Sequence, residues 1–175
     1  MARIVSLQFI FTILSLLLFS LPVASAQLVQ VSDLTAQQFY SKMNPELQRQ
    51  NNYQDNLHFD NLSNRLDIFQ DSPYVAYMTV LPVGNQGSVV TLYANRANIV
   101  SKITINAPAN TSNGQTAMAL SCQTVMSLLG LTRDEGRVLI DTGRVWCAAT
   151  QRRIILTFTQ ERNNILYARF TASDN

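Results

Sequence analysis

The final third of the chain holds three strand-like stretches separated by very short links. These are "RVWCAAT" from Arg144, "RIILTFTQ" from Arg153 and "ILYARFTA" from Ile165. Each is rich in β-branched and aromatic residues and alternates in character. A parallel return needs a crossover of a dozen or more residues, so links this short dictate antiparallel pairing. The middle of the chain repeats the pattern. "YVAYMTVLP", "VVTLYA" and "NIVSKITIN" read as strands, with "VGNQGS" as a turn and Ile99, Ile103 and Ile105 on one face.

Helix signals precede each set of strands. In "LTAQQF", Thr35 and Gln38 form a capping box and Leu34 and Phe39 a hydrophobic staple. That helix is expected to stop near Met43, because the residue before Pro45 is pushed out of the helical region. Asn44 would then cap a second short helix with Pro45 at its first position. The polar stretch from Gln48 to Asn64 reads as a loop, closed by a short strand carrying Leu66, Ile68 and Phe69. A longer helix is expected from about Gln115 to Leu129, with Gly130 as its terminal cap. Thr132 and Glu135 repeat the capping box and start a short helix. The expected fold is therefore α+β: a largely antiparallel, twisted sheet with helices packed on one face. Helix–turn–helix plus three strands, written twice, also fits the order and would make the chain a tandem repeat.

The N-terminus reads as an export signal. Arg3 gives a positive start, Phe9 to Leu21 is apolar and uncharged, and Ala24-Ser25-Ala26 is a small-x-small cleavage pattern. The expected division is a cleavable signal peptide at 1–26 and one soluble domain at 27–175, with no membrane-spanning segment after processing. Neither twin arginines nor a cysteine at the cleavage site is present, which points to export as an unfolded chain without a lipid anchor. The expected location is periplasmic or secreted, and no cofactor is expected.

Two cysteines, Cys122 and Cys147, are the whole supply. An oxidising compartment and an even count argue for a disulfide. Cys122 lies in the apolar stripe of its helix with Met118, Val125, Met126 and Leu129. Cys147 shares a strand face with Val145 and Ala149, so the two are expected to meet in the core. Closing that loop would contribute about 3.5 kcal/mol by chain entropy. The competing reading is a thiolate activated by Arg144, Arg152 or Arg153.

Catalytic inventory is thin. His58 is the single histidine, so two-histidine metal sites are excluded and no metal site is expected. Asp55 or Asp60 could orient it, which keeps a small hydrolase using His58 with a carboxylate as one reading. Glu46, Glu135 and Glu161 sit where caps or turns explain them. A carrier of a small apolar ligand, with Met118 and Met126 adapting around it, is another reading.

The stronger candidate is a surface. If the Cys147 face turns inward, Arg144 and Trp146 point outward. Thr157 and Thr159, with Ile155, share one face of their strand, and Tyr167 and Arg169 share one face of theirs. In register these would make a Trp/Tyr/Arg/Thr platform, a composition enriched where proteins bind proteins and able to stack on sugars. Residues 27–175 carry 12 Lys+Arg and 11 Asp+Glu, with eight bases and five acids from Lys102 onward. That balance is too even for a nucleic-acid binder. The expectation is an exported, non-enzymatic binding protein, an inhibitor or envelope accessory factor, whose partner is another exported or envelope protein.

Overall fold

The structure, a computed structural model, describes residues 29–51, 57–65, 72–161 and 163–174. The segment expected to be a signal peptide, Asp55 and the strand expected at Leu66–Phe69 lie outside the described residues. In chain order the elements are α1 (Ala36–Gln50), β1 (Ser63–Arg65), β2 (Val75–Val83), β3 (Gln86–Ala94), β4 (Val100–Pro108), α2 (Ser112–Leu128), α3 (Arg133–Thr142), β5 (Arg144–Cys147), β6 (Arg152–Gln160) and β7 (Ile165–Ser173). The strands form one antiparallel sheet in the order β1-β2-β3-β4-β7-β6-β5. With helices packed against it, the fold is α+β as expected.

The sheet has a symmetric layout. β2-β3-β4 and β5-β6-β7 are two meanders whose third strands, β4 and β7, pair in the middle, with Ile105 opposite Ala168. The strands thus behave as a repeat, but the helices do not. The helix–turn–helix expected before the first meander is one continuous helix, with Pro45 inside it. Proline sacrifices one backbone hydrogen bond there. Burial outweighs that loss, because Phe39, Met43 and Leu47 form a fully buried i, i+4 stripe. Asn44 does not cap a helix. Its amide clamps the backbone of Phe59, accepting from the Phe59 N–H at 2.6 Å and donating to the Phe59 carbonyl at 3.2 Å.

Both capping boxes form, with the Gln38 N–H donating to Thr35 Oγ1 and the Glu135 N–H to Thr132 Oγ1, each at 3.2 Å. α2 starts earlier than the periodicity suggested, because Thr111 caps it by accepting from the Gly114 N–H. It ends at Gly130, whose φ of +81° suits glycine. There the Leu131 N–H reaches the Met126 carbonyl and the Gly130 N–H the Ser127 carbonyl, a Schellman ending.

The core lies between the helices and one face of the sheet. Leu92, Ile103, Ile105, Ile154 and Phe170 point into it and are fully buried. Helix α2 is fixed to that face by Ser88, whose hydroxyl lies 2.7 Å from Ser121 Oγ and also donates to the Ala117 carbonyl. Ile99 does not share the face of Ile103 and Ile105. A register shift at Tyr93/Ala94 breaks the alternation, and Ile99 instead bridges to Thr35.

The disulfide is not made. Both cysteines are free and buried. The Cys147 thiol donates to the Leu129 carbonyl at 3.4 Å, whereas the Cys122 thiol faces Met118 Sδ at 3.6 Å. Cys122 and Leu129 are seven residues apart, about 10 Å along a helix. A disulfide holds its two Cα atoms within about 7 Å. Both cysteines face the core as expected, but β5 ends at Cys147 and Ala149 is exposed in the turn that follows, and face periodicity says nothing about position along the helix.

Candidate functional site

Residues directly opposite in an antiparallel pair project to the same side. That rule turns the register into a map of the sheet face away from the helices. Thr157 stands opposite Arg169, which stands opposite Thr104 on its other side. Thr159 stands opposite Tyr167, and Tyr167 opposite Asn106. Arg144 faces Ile155 and Trp146 faces Arg153. All six residues of the expected platform therefore occupy this one face.

They do not form one compact cluster. Thr157, Thr159, Tyr167 and Arg169 are adjacent on β6 and β7. Trp146 is in the row of Arg153, six residues along β6 from Thr159, which is about 20 Å at strand rise. Arg144 lies between the two groups. Five of the six are exposed and Tyr167 is half-buried. Trp146, 44% exposed, is not a core tryptophan.

Sequence reasoning missed two members of this face. Arg153 is exposed beside Trp146. Lys102, on β4, places Nζ 3.6 Å from the centroid of the Tyr93 ring on β3. Their alternation within the strands was the available signal. It could not say which strands would be neighbours.

The cysteines offer no nucleophile at the surface. Cys147 is fully buried, and burial pushes the Cys122 thiol up to about 12. Arg144 and Arg153 are on the opposite face from Cys147, and Arg152 is engaged with Asp33 at 2.6 Å.

His58 sits in the segment before β1, its side chain 62% exposed, with Nε2 4.0 Å from Asp60 Oδ1. The backbone of Asp60 anchors that segment: its N–H donates to the Val80 carbonyl and its carbonyl accepts from the Tyr40 hydroxyl, both at 2.7 Å. Among the described residues, no group of three or more His, Cys, Asp or Glu side chains is placed to hold a metal ion. No helix among them is long and apolar enough to cross a membrane.

The glutamates have structural partners. Glu46 is not at a cap or turn; it lies inside α1, where Arg49 donates to both its oxygens at 2.9 and 2.6 Å. That hydrogen bonding, helped by Ser127 and Gln50, holds its carboxyl down to about 2 against the opposing effect of burial. Glu135 is held below the usual carboxylate range by the backbone N–H groups of Thr132 and then Ala148. It thereby ties the start of α3 to the β5–β6 loop. An open depression of about 490 Å³ on the outer side of α1 is lined by Lys42, Glu46, Arg49 and neighbouring residues. Its lining also includes Pro45 and Leu128, and it does not involve Met118 or Met126, which are part of the core.

Comparison with known proteins finds no family model, no curated protein and no solved structure that matches this chain.

Proposed function

We propose that this chain is an exported, non-enzymatic binding protein that holds another exported or envelope protein on the open face of its sheet, as an inhibitor or accessory factor. One observation carries the reading. The register gathers Arg144, Trp146, Thr157, Thr159, Tyr167 and Arg169 on the face that the helices leave uncovered. An amphipathic sheet normally buries one face and wets the other. A wet face needs no half-exposed tryptophan, and Trp, Tyr and Arg are the side chains that dominate binding energy at protein interfaces. The N-terminal export pattern supports a periplasmic or secreted location. Hydrolysis at His58 has less support, since the side chain and its acidic neighbour are both solvent-exposed. An apolar carrier has less still, because Met118 and Met126 pack into the core.

The test is affinity capture from the native host's envelope fraction with crosslinking and mass spectrometry. The bait is protein expressed from the full reading frame and purified as processed. The reading expects a stoichiometric partner crosslinked near β5–β7 and lost when Trp146, Tyr167 and Arg169 are replaced together by alanine. Failure to capture any partner with folded bait would overturn it. Hydrolysis abolished by H58A would transfer the function to the other site.

A further inference from the structure

The open face has a charge pattern that the overall composition conceals. On β4 to β7 its strand positions carry four cations, Lys102, Arg144, Arg153 and Arg169, Arg65 of β1 holds a further position in the same register, and no carboxylate is present there among the described residues. The chain as a whole has 13 Lys+Arg against 11 Asp+Glu. The described acids are placed elsewhere. Asp33 pairs with Arg152, Glu46 with Arg49, and Asp134, Glu135 and Asp141 belong to α3. Asp60 stands before β1, and Glu161 and Asp174 lie just past the ends of β6 and β7.

The cations are also spaced in a particular way. Like charges directly opposite each other destabilise a sheet, and none of these four opposes another. Arg144 faces Ile155, Arg153 lies between Trp146 and Ser173, Arg169 lies between Thr104 and Thr157, and Lys102 faces Tyr93. Two of them stand beside an aromatic ring. The three arginines have no salt bridge among the described residues. A face built this way keeps its positive potential while limiting internal repulsion, which is what an oppositely charged partner requires.

We infer that the partner presents an acidic protein surface, its Asp and Glu carboxylates meeting Arg144, Arg153, Arg169 and Lys102 across a contact that extends from Trp146 to Tyr167. This rests on the proposed binding role of the face and specifies the chemistry of the occupant. A protein fits better than a nucleic acid, because four cations spread over four strands do not make the dense basic track that a phosphate backbone needs. Guanidinium groups spaced among aromatic and threonine side chains suit discrete carboxylates, to which arginine donates two parallel hydrogen bonds.

The protein carries its own reporter, since Trp146 is its single tryptophan and lies on this face. The experiment follows Trp146 emission while the full-chain product is titrated with poly-L-glutamate, an oligo(dT) strand or dextran sulfate. The inference expects saturable binding of poly-L-glutamate, weakening about tenfold or more between about 0.05 and 0.3 M salt. R144E/R153E/R169E should lower that affinity by about tenfold or more, and the neutral R144Q/R153Q/R169Q should fall in between, both with unchanged thermal unfolding. Tighter binding of oligo(dT) or dextran sulfate than of poly-L-glutamate overturns an acidic protein partner in favour of another polyanion. No response to any of the three also overturns it. If a captured partner then still crosslinks at β5–β7 and ignores the charge reversals, the face binds a neutral surface and the proposed function stands without this inference.

Discussion

Ser88 on β3 and Ser121 on α2 share a hydrogen bond of 2.7 Å with both residues wholly buried. It joins the longest helix to the sheet through the middle of an apolar layer. A buried hydroxyl stripped of its partner costs about 1–3 kcal/mol. Ser88 retains a local alternative in the Ala117 carbonyl at 3.3 Å, whereas S88A takes from the buried Ser121 hydroxyl the partner it has here. S88A is therefore expected to lose about 1–2 kcal/mol in urea denaturation. S88A/S121A should lose less than the sum of the single changes, since the second removes the group that the first orphaned.

The thiols test the packing of α2 directly. A thiol-specific reagent should find neither cysteine reactive in the native protein and both reactive after unfolding without reductant. The geometry responsible is the separation between Cys122, at Met118, and Cys147, at Leu129. Non-reducing peptide mapping that recovers Cys122 joined to Cys147 would refute this arrangement.

Gly114 sits against the end of β4. A Cβ built there lies 2.3 Å from the Pro108 carbonyl oxygen, closer than van der Waals contact allows, and that oxygen is backbone and cannot swing away. G114A should destabilise by about 3 kcal/mol through forced displacement of the helix start. Chemical denaturation would measure it. A neutral result would mean that the first turn of α2 is not pinned to β4.

Acid stability should follow the two buttressed glutamates. Both have folded pKa values below the unfolded one, Glu46 at about 2 against an ordinary 4.5. Their contribution is therefore complete above about pH 4.5 and is lost as pH falls through the folded values. Arg49 is largely exposed, so solvent screening reduces the Glu46 share to about 1 kcal/mol. The melting temperature of E46Q should fall less than that of the parent between pH 5 and pH 2.5, on the order of a few degrees. Identical pH profiles would show that the Glu46–Arg49 contact is not maintained in solution.

Strand existence and antiparallel pairing were legible because side-chain alternation and link length are local properties. So were the two threonine caps and the glycine ending of α2, where a motif of a few residues satisfies its own backbone groups. Pro45 shows the limit of local reasoning. A residue that argues for a break lies inside a helix because Phe39, Met43 and Leu47 bury more than the proline forfeits. Ile99 shows another, since the register shift that turns it off the core face depends on which strand β4 pairs with.

Alternation along each strand dictates which of its sides is polar, and so that Arg144, Trp146, Thr157, Thr159, Tyr167 and Arg169 point away from the core side of their own strands. Tertiary structure alone decided strand order and register. These set Arg169 between Thr104 and Thr157, added Lys102 and Arg153 to the same face, and held Cys122 and Cys147 two helical turns apart. Periodicity gives a residue its direction within an element. Its neighbours depend on how elements of given length and phase pack together, and that is settled only when the whole core is filled.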